Sequence, residues 1–304
     1  MTSSKLVGPG LGAAILAYLI WGFLPLYFHA LVHVPALELV AFRICLTLPF
    51  CLIVIAWRGF GAELRAALRN RAVLIRLCAS AALIATNWLI FVMAVANGHV
   101  LASSLGYYIN PLLNVLIGTI FLGEKLNRTQ WTAVAVAAAG IALLLWGALD
   151  MLGIAMVLAV SFALYGLIRK ITPVASVPGL TIETMVLFIP ATCAVIWFAL
   201  QPAGSSLTHG AGTAGLLALS GIVTGVPLLL FAFAAQKLDL SVLGFVQFLA
   251  PTISFLLGTV VFGEPLDTVR LSCFVLIWTA IALFSADMLR RRRIESRSRS
   301  EAPA

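Results

Sequence analysis

The chain is a succession of ten continuous apolar runs, and that succession decides what it can fold into. They fall at about 9–31, 36–57, 72–96, 100–122, 129–147, 150–169, 180–200, 213–235, 239–262 and 267–288. A helix rising about 1.5 Å per residue crosses a hydrocarbon core of roughly 30 Å in about 20 residues, so each run can span. The runs do not alternate polar with apolar, which excludes a transmembrane barrel. Composition agrees: 62% of the 304 residues are hydrophobic and 10% charged, against about 25% charged in a soluble protein. A soluble enzyme, a disordered chain and a collagen-like rod are excluded. The first run, Leu11–Phe28, outlasts a signal-peptide core of roughly 7–15 residues and is read as a span. The five cysteines all lie inside apolar runs, where thiols behave as small apolar groups.

Charge tests the count. Ten spans with the N-terminus inside place on one side Lys5; Arg58, Arg65, Arg69, Arg71 and Arg76; Lys125 and Arg128; Arg169 and Lys170; Lys237; and Arg290 to Arg293, Arg297 and Arg299. That is 17 of the 19 Lys and Arg, leaving Arg270 outside and Arg43 within a span. Positive loops stay cytoplasmic, so both termini are expected in the cytoplasm. The net charge of +8 is thus a topology signal and does not point to nucleic acid. Arg290–Arg293 reads as an anchor on anionic lipid, a regulatory role being the alternative. The polar tail from Ile294 is expected to be disordered. Tight turns are expected at 97–99, 146–150 and 236–239.

The chain also repeats itself. At an offset of 140, Pro111, Leu116, Gly118, Thr119, Gly123, Glu124 and Leu126 fall on Pro251, Leu256, Gly258, Thr259, Gly263, Glu264 and Leu266. Leu89, Phe91 and Ala94 match Leu229, Phe231 and Ala234. The expected organisation is a five-helix repeat over 1–148, a second over 149–289, and a basic cytoplasmic tail over 290–304. An odd number of spans per repeat inverts the second half. The loops agree: Lys125 and Arg128 of the first half become Pro265 and Thr268 in the second. Inverted repeats are the architecture of secondary transporters, which alternate access about a midplane site.

The repeat points at a site between spans 4 and 9. Each carries a proline, Pro111 or Pro251, which removes a helix hydrogen bond and is expected to kink the span. Ser103, Tyr107, Asn110 and Asn114 share one face of span 4 by spacing; at the offset, two of them become Gln247 and Ser254. Polar side chains at membrane depth face protein or water. Either they line a substrate pathway or they tie helices together by hydrogen bonds.

Ala17–Gly22, Asn87–Phe91, Leu105–Leu112, Tyr165–Lys170, Ile182–Met185 and Gly221–Thr224 resemble the corresponding segments of RarD-type proteins of the EamA family, in the drug/metabolite transporter superfamily. The resemblance runs from about residue 10 to 288. It implies an all-α integral membrane protein with ten transmembrane helices in two inverted five-helix repeats. It further implies a multi-pass carrier of the bacterial inner (plasma) membrane moving a small metabolite or drug-like compound; the family is linked by name to chloramphenicol sensitivity. It also implies a cavity among helices 1, 3, 4, 6, 8 and 9, which adds Asn87, Trp21 and Trp88 to the candidate pathway.

Two charges lie inside spans. A charge at mid-bilayer costs about 2.5–3.5 kcal/mol on insertion scales. Arg43 is read as a holder of an anionic substrate group or an outer gate, Glu183 as a gate or a proton-coupling acid. The alternatives are snorkelling to the interface and pairing, of Arg43 with Glu38 and of Glu183 with Arg169 or Lys170. Trp21 and Trp88 either pack or stack on an aromatic substrate. His29 and His33, one turn apart with Glu38 near, could begin a metal site but lack the three or four converging ligands it needs. No metal and no cofactor are expected. The partners expected are a small-molecule substrate, membrane lipid and a coupling proton, for a monomer or homodimer.

The leading class is a secondary carrier, not an enzyme. No Gly-Lys phosphate loop occurs, which disfavours primary pumping. The alternative is an integral membrane enzyme acting on a lipid or hydrophobic substrate. Glu183, however, has no second deep carboxylate and no His-Glu-x-x-His motif is present.

Overall fold

The computed structural model describes residues 7–96, 100–146, 152–202, 204–261 and 268–300, without the side chains of 7, 92, 95–96, 100–104, 270 and 291–300. The spans are α1 (Val7–Ala30), α2 (Ala36–Arg58), α4 (Arg71–Ala96), α5 (Val100–Phe121), α6 (Arg128–Trp146), α7 (Leu152–Ile171), α8 (Ser176–Ala199), α9 (Ala211–Lys237), α10 with α11 (Leu240–Gln247 and Leu249–Val260) and α12 (Thr268–Ser300). Nine of the described helical segments are long and apolar enough to cross a membrane, and the described apolar part of α5, Leu105–Phe121, is shorter. The outside of the bundle is apolar: Trp57, Ile120 and Ile189 are 80%, 71% and 72% exposed. Only lipid can cover that surface, so this is a ten-helix membrane protein.

Helix ends follow local chemistry. Gly59 ends α2 with φ +72°, its N–H and that of Phe60 both bonding the Ile55 carbonyl. Asn70 caps α4 by accepting from the Ala72 and Val73 amides. Asn127 and Gln130 bond reciprocally to open α6. One element lies outside the spans: the nine-residue α3 (Gly61–Arg69), which buries Leu64 and Ala67 and leaves its arginines outward. The helical α12 runs to Ser300 where a disordered tail is expected from the sequence. Arg and Glu are good helix formers, and the tail extends a helix already nucleated.

The contacts come in pairs. With spans numbered one to ten, exchanging each span for the one five places away maps α5–α7 onto α1 with α10 and α11, α4–α7 onto α1–α9, and α4–α8 onto α2–α9. The packings of α2 with α8, α5 with α10 and α6 with α12 join a span to its own counterpart. The close α2–α9 approach is made by small residues. A Cβ on Gly221 would stand 2.4 Å from the Leu46 carbonyl oxygen, and one on Gly225 2.7 Å from the Phe50 ring.

The basic loops meet at one end. Arg76 donates to the Ile171 carbonyl, Lys170 to that of Leu238, and Glu63 accepts from the Ala175 amide. Glu124 accepts from the Leu240 and Ser241 amides and so caps α10 from across the bundle. The other end is tied by Tyr27 to the Leu216 carbonyl and by His33 to Thr213.

The sequence expectation of interrupted helices divides. Span 9 breaks between Gln247 and Leu249, so Pro251 lies in the first turn of α11, where a missing N–H costs nothing. In span 4, α5 continues through Pro111.

Candidate functional site

The structure sorts the candidate residues into groups. The first lies where α5 crosses α10. Asn110 donates to the Ala159 carbonyl of α7 at 2.8 Å. Asn114 donates to Asn110 Oδ1 at 3.2 Å and to Gln247 Oε1 at 2.9 Å. Tyr18 of α1 donates to the same Gln247 oxygen at 3.5 Å. Asn110, Asn114 and Gln247 are 0%, 1% and 4% exposed. Four helices are thereby tied, while Oδ1 of Asn114 has no hydrogen-bond partner among the described residues. The crossing is close: a Cβ on Gly244 would come within 2.6 Å of the Pro111 carbonyl oxygen.

Two candidates are ties elsewhere. Asn87 donates to the Leu158 carbonyl at 2.8 Å and Ser161 Oγ at 3.0 Å, joining α4 to α7. Ser254 donates to the Gly22 carbonyl of α1 at 3.3 Å. The side chain of Ser103 lies outside the described residues. Trp21 belongs to a central aromatic cluster, its ring 5.4 Å from Tyr18, 5.9 Å from Phe162 and 5.7 Å from Phe231.

The second group surrounds Arg43. Its Nε donates to Thr224 Oγ1 of α9 at 2.8 Å. The guanidinium lies 5.4 Å from the Phe28 ring and 5.1 Å from the Trp88 ring, within cation–π range. Tyr27 and Tyr107 are near enough to interact electrostatically with it. Tyr107, grouped with the asparagines by spacing, thus sides with Arg43, its ring 6.0 Å from Phe91. The expected Arg43–Glu38 pair does not form. Glu38 instead accepts from Ser205 Oγ at 2.7 Å, the Ser206 amide at 3.0 Å and Ser206 Oγ at 2.6 Å. Among the described residues Arg43 meets no carboxylate.

The third group is built on Glu183, 1% exposed. One oxygen accepts from Ser80 and stands 3.6 Å from Arg169 Nη1; the other accepts from Tyr165 at 3.4 Å. Arg169 is itself fully buried, its Nη2 donating to the Ser176 carbonyl while Nε and Nη1 have no hydrogen-bond partner. Of the two partners expected for Glu183, Arg169 is the one used; Lys170 turns to the C-terminus of α9. The carboxylate faces protein, so snorkelling does not describe it.

A small cavity, with room for about one water molecule, lies between the second and third groups. Thr47, Trp88, Thr224, Tyr165 and Glu183 line it, with Ile44 and Leu228 among its apolar walls. Sequence reading found Arg43, Trp88 and Glu183 from their charge and size. It missed Thr47, Ser80, Tyr165 and Thr224 as partners, since a hydroxyl in an apolar run carries no periodic signal. Among the described residues no three His, Cys, Asp or Glu side chains gather as a metal site would require.

Several known proteins resemble this chain over nearly its whole length. Residues 8–146 match the model of the EamA-like transporter family. The chain is 40% identical to the protein RarD of Escherichia coli over 97% of this chain and 99% of that one. It is 42% identical to an uncharacterized transporter of Pseudomonas aeruginosa over 91% and 93%. It is 28% identical to the chloramphenicol-sensitive protein RarD of the same organism over 96% and 99%. A solved crystal structure, 18% identical, superposes with a TM-score of 0.71 over 93% of this chain and 98% of the other, and so shares the fold.

Proposed function

Because the chain belongs to the EamA-like transporter family, beside the RarD proteins, we propose that it is a secondary carrier of a small metabolite or drug-like compound. The observation that carries this reading is the polar interior enclosed by duplicated helix contacts inside an apolar shell. Two halves that pack by the same contacts can exchange roles, which is the structural basis of alternating access.

In this reading the pathway follows the cavity between α2, α4, α7, α8 and α9. Arg43, Trp88 and Tyr107 stand at one end and Glu183 at the other. The α5–α10 crossing, held by Asn110, Asn114 and Gln247, is the midplane pivot beside it, and Ser254 and Asn87 hold the flanking helices. Pro111 and Pro251 lie in the two spans that meet at this pivot. Glu183 gates the basic end and, if transport is driven by protons, is the acid that takes them up. The basic loops of that end face the cytoplasm, with both termini.

Flux into proteoliposomes tests the reading. The purified chain is offered amino acids, small aromatic metabolites and chloramphenicol, with and without an imposed pH gradient. Saturable flux is expected. Absence of flux for every compound would reopen the membrane-enzyme alternative.

A further inference from the structure

Arg43 is a cation inside a membrane span with no carboxylate paired to it among the described residues. A guanidinium carries five N–H donors. In this protein one of them is used, by Nε on Thr224, and the faces of the group lie against Phe28 and Trp88. Cation–π contact is worth about 0.5–2 kcal/mol, less than the cost of a charge at membrane depth, and Arg43 is partly buried there. The neighbouring carboxylate that could neutralise it, Glu38, is fully engaged by Ser205 and Ser206. The forked edge of the guanidinium, with its Nη donors, is therefore left for a planar, bidentate anion.

The adjoining cavity says what else such an anion carries. Trp88 and Thr224 touch Arg43 and also line the cavity. Its remaining walls are mainly apolar: Ile44, Ile84, Leu180, Leu187 and Leu228. Its far end is Glu183, whose charge is already matched by Arg169. Among the described residues no free carboxylate lines this route to receive a ligand cation.

We propose that Arg43 is the anchor of a binding site for amine-free monocarboxylates with an apolar or aromatic body, the carboxylate on the guanidinium edge and the body against Trp88 in the cavity. This rests on the carrier reading for its purpose but not for its geometry. In this conformation the cavity holds no more than a water molecule, so the body enters only as the surrounding helices part, and occupancy is thereby linked to helix movement.

The test is binding to the purified full chain, read as a concentration-dependent rise in unfolding temperature and as quenching of tryptophan fluorescence. The probes are 3-phenylpropionate, its amide, and phenylalanine. 3-Phenylpropionate is expected to stabilise, the amide not, and phenylalanine more weakly because its ammonium finds no partner. Arg43→Gln should weaken 3-phenylpropionate about tenfold or more, and Thr224→Val, which frees the guanidinium to swing, by a few-fold. Should Arg43→Gln fail to fold, Thr224→Val and Trp88→Leu carry the test. Equal stabilisation by acid and amide, stabilisation by phenylalanine alone, or no stabilisation by 3-phenylpropionate overturns the proposal. Binding without flux would instead overturn the carrier reading and leave the site standing. Flux of neutral compounds without carboxylate binding would do the reverse.

Discussion

Asn114 and Gln247 meet across the centre of the molecule, the Asn114 amide donating to Gln247 Oε1 at 2.9 Å. One residue belongs to each half of the chain, and both are shut away from the surface. Gln247→Leu would leave one N–H of the Asn114 amide and the Tyr18 hydroxyl without their acceptor, the other Asn114 N–H keeping Asn110. A loss of about 1–2 kcal/mol of stability is expected, measured by thermal unfolding in detergent. In a double-mutant cycle, Asn114→Leu with Gln247→Leu should cost less than the two single changes together. Strict additivity would show that the contact carries no coupling.

Glu183 and Arg169 neutralise each other at full burial. Removing one partner leaves an uncompensated charge, so Glu183→Gln is expected to destabilise by about 3–5 kcal/mol. Adding Arg169→Met should recover most of that loss. The same Glu183→Gln protein tests coupling in proteoliposomes: the component of flux that responds to a pH gradient should vanish. Full gradient-dependent flux would restrict Glu183 to a structural role.

Gly221 lies where α9 touches the α2 backbone, a Cβ there reaching 2.4 Å from the Leu46 carbonyl oxygen. Backbone cannot move aside as a flexible side chain can. Gly221→Ala should therefore push the helices apart and lower stability by ~1–3 kcal/mol. Cysteine pairs across α2 and α9 that cross-link in the parent should do so more slowly in the variant.

Glu124 supplies the cap that Asp239 does not, accepting from the Leu240 and Ser241 amides and from Ser241 Oγ. Glu124→Ala leaves the first turn of α10 open. Amide exchange over residues 238–243 should quicken by about fivefold, in line with roughly 1 kcal/mol for a lost cap. Unchanged exchange there would mean that water replaces the carboxylate without penalty.

The spans were legible because lipid demands an uninterrupted apolar surface, which no short-range accident imitates. The α3 helix was not, since nine residues with two buried positions look like a charged loop. The break in span 9 was announced by Pro251 but falls ahead of it, because proline is tolerated in a helix's first turn. Within the site, charge was readable and partnership was not. Glu38 and Arg43 are five residues apart, which turns a helix by about 140° out of line and points the two side chains apart. Tyr107 and Asn110 share a broad stripe by spacing, yet three residues of separation spread it far enough for different neighbours to claim each.

The paired helix contacts have an implication for how such a chain came to be. Where α2 meets α8, α5 meets α10 and α6 meets α12, each side of the seam comes from the same stretch of the repeat. Such a seam is isologous, the kind that a two-fold axis generates between identical subunits. Each half presents to the other the same helices that it receives. Fusing the halves replaces a symmetry operation with a peptide linker and releases each copy to change alone. The chain bears the marks of that release: Gln247 stands where the first half has Tyr107, and Pro265 where it has Lys125.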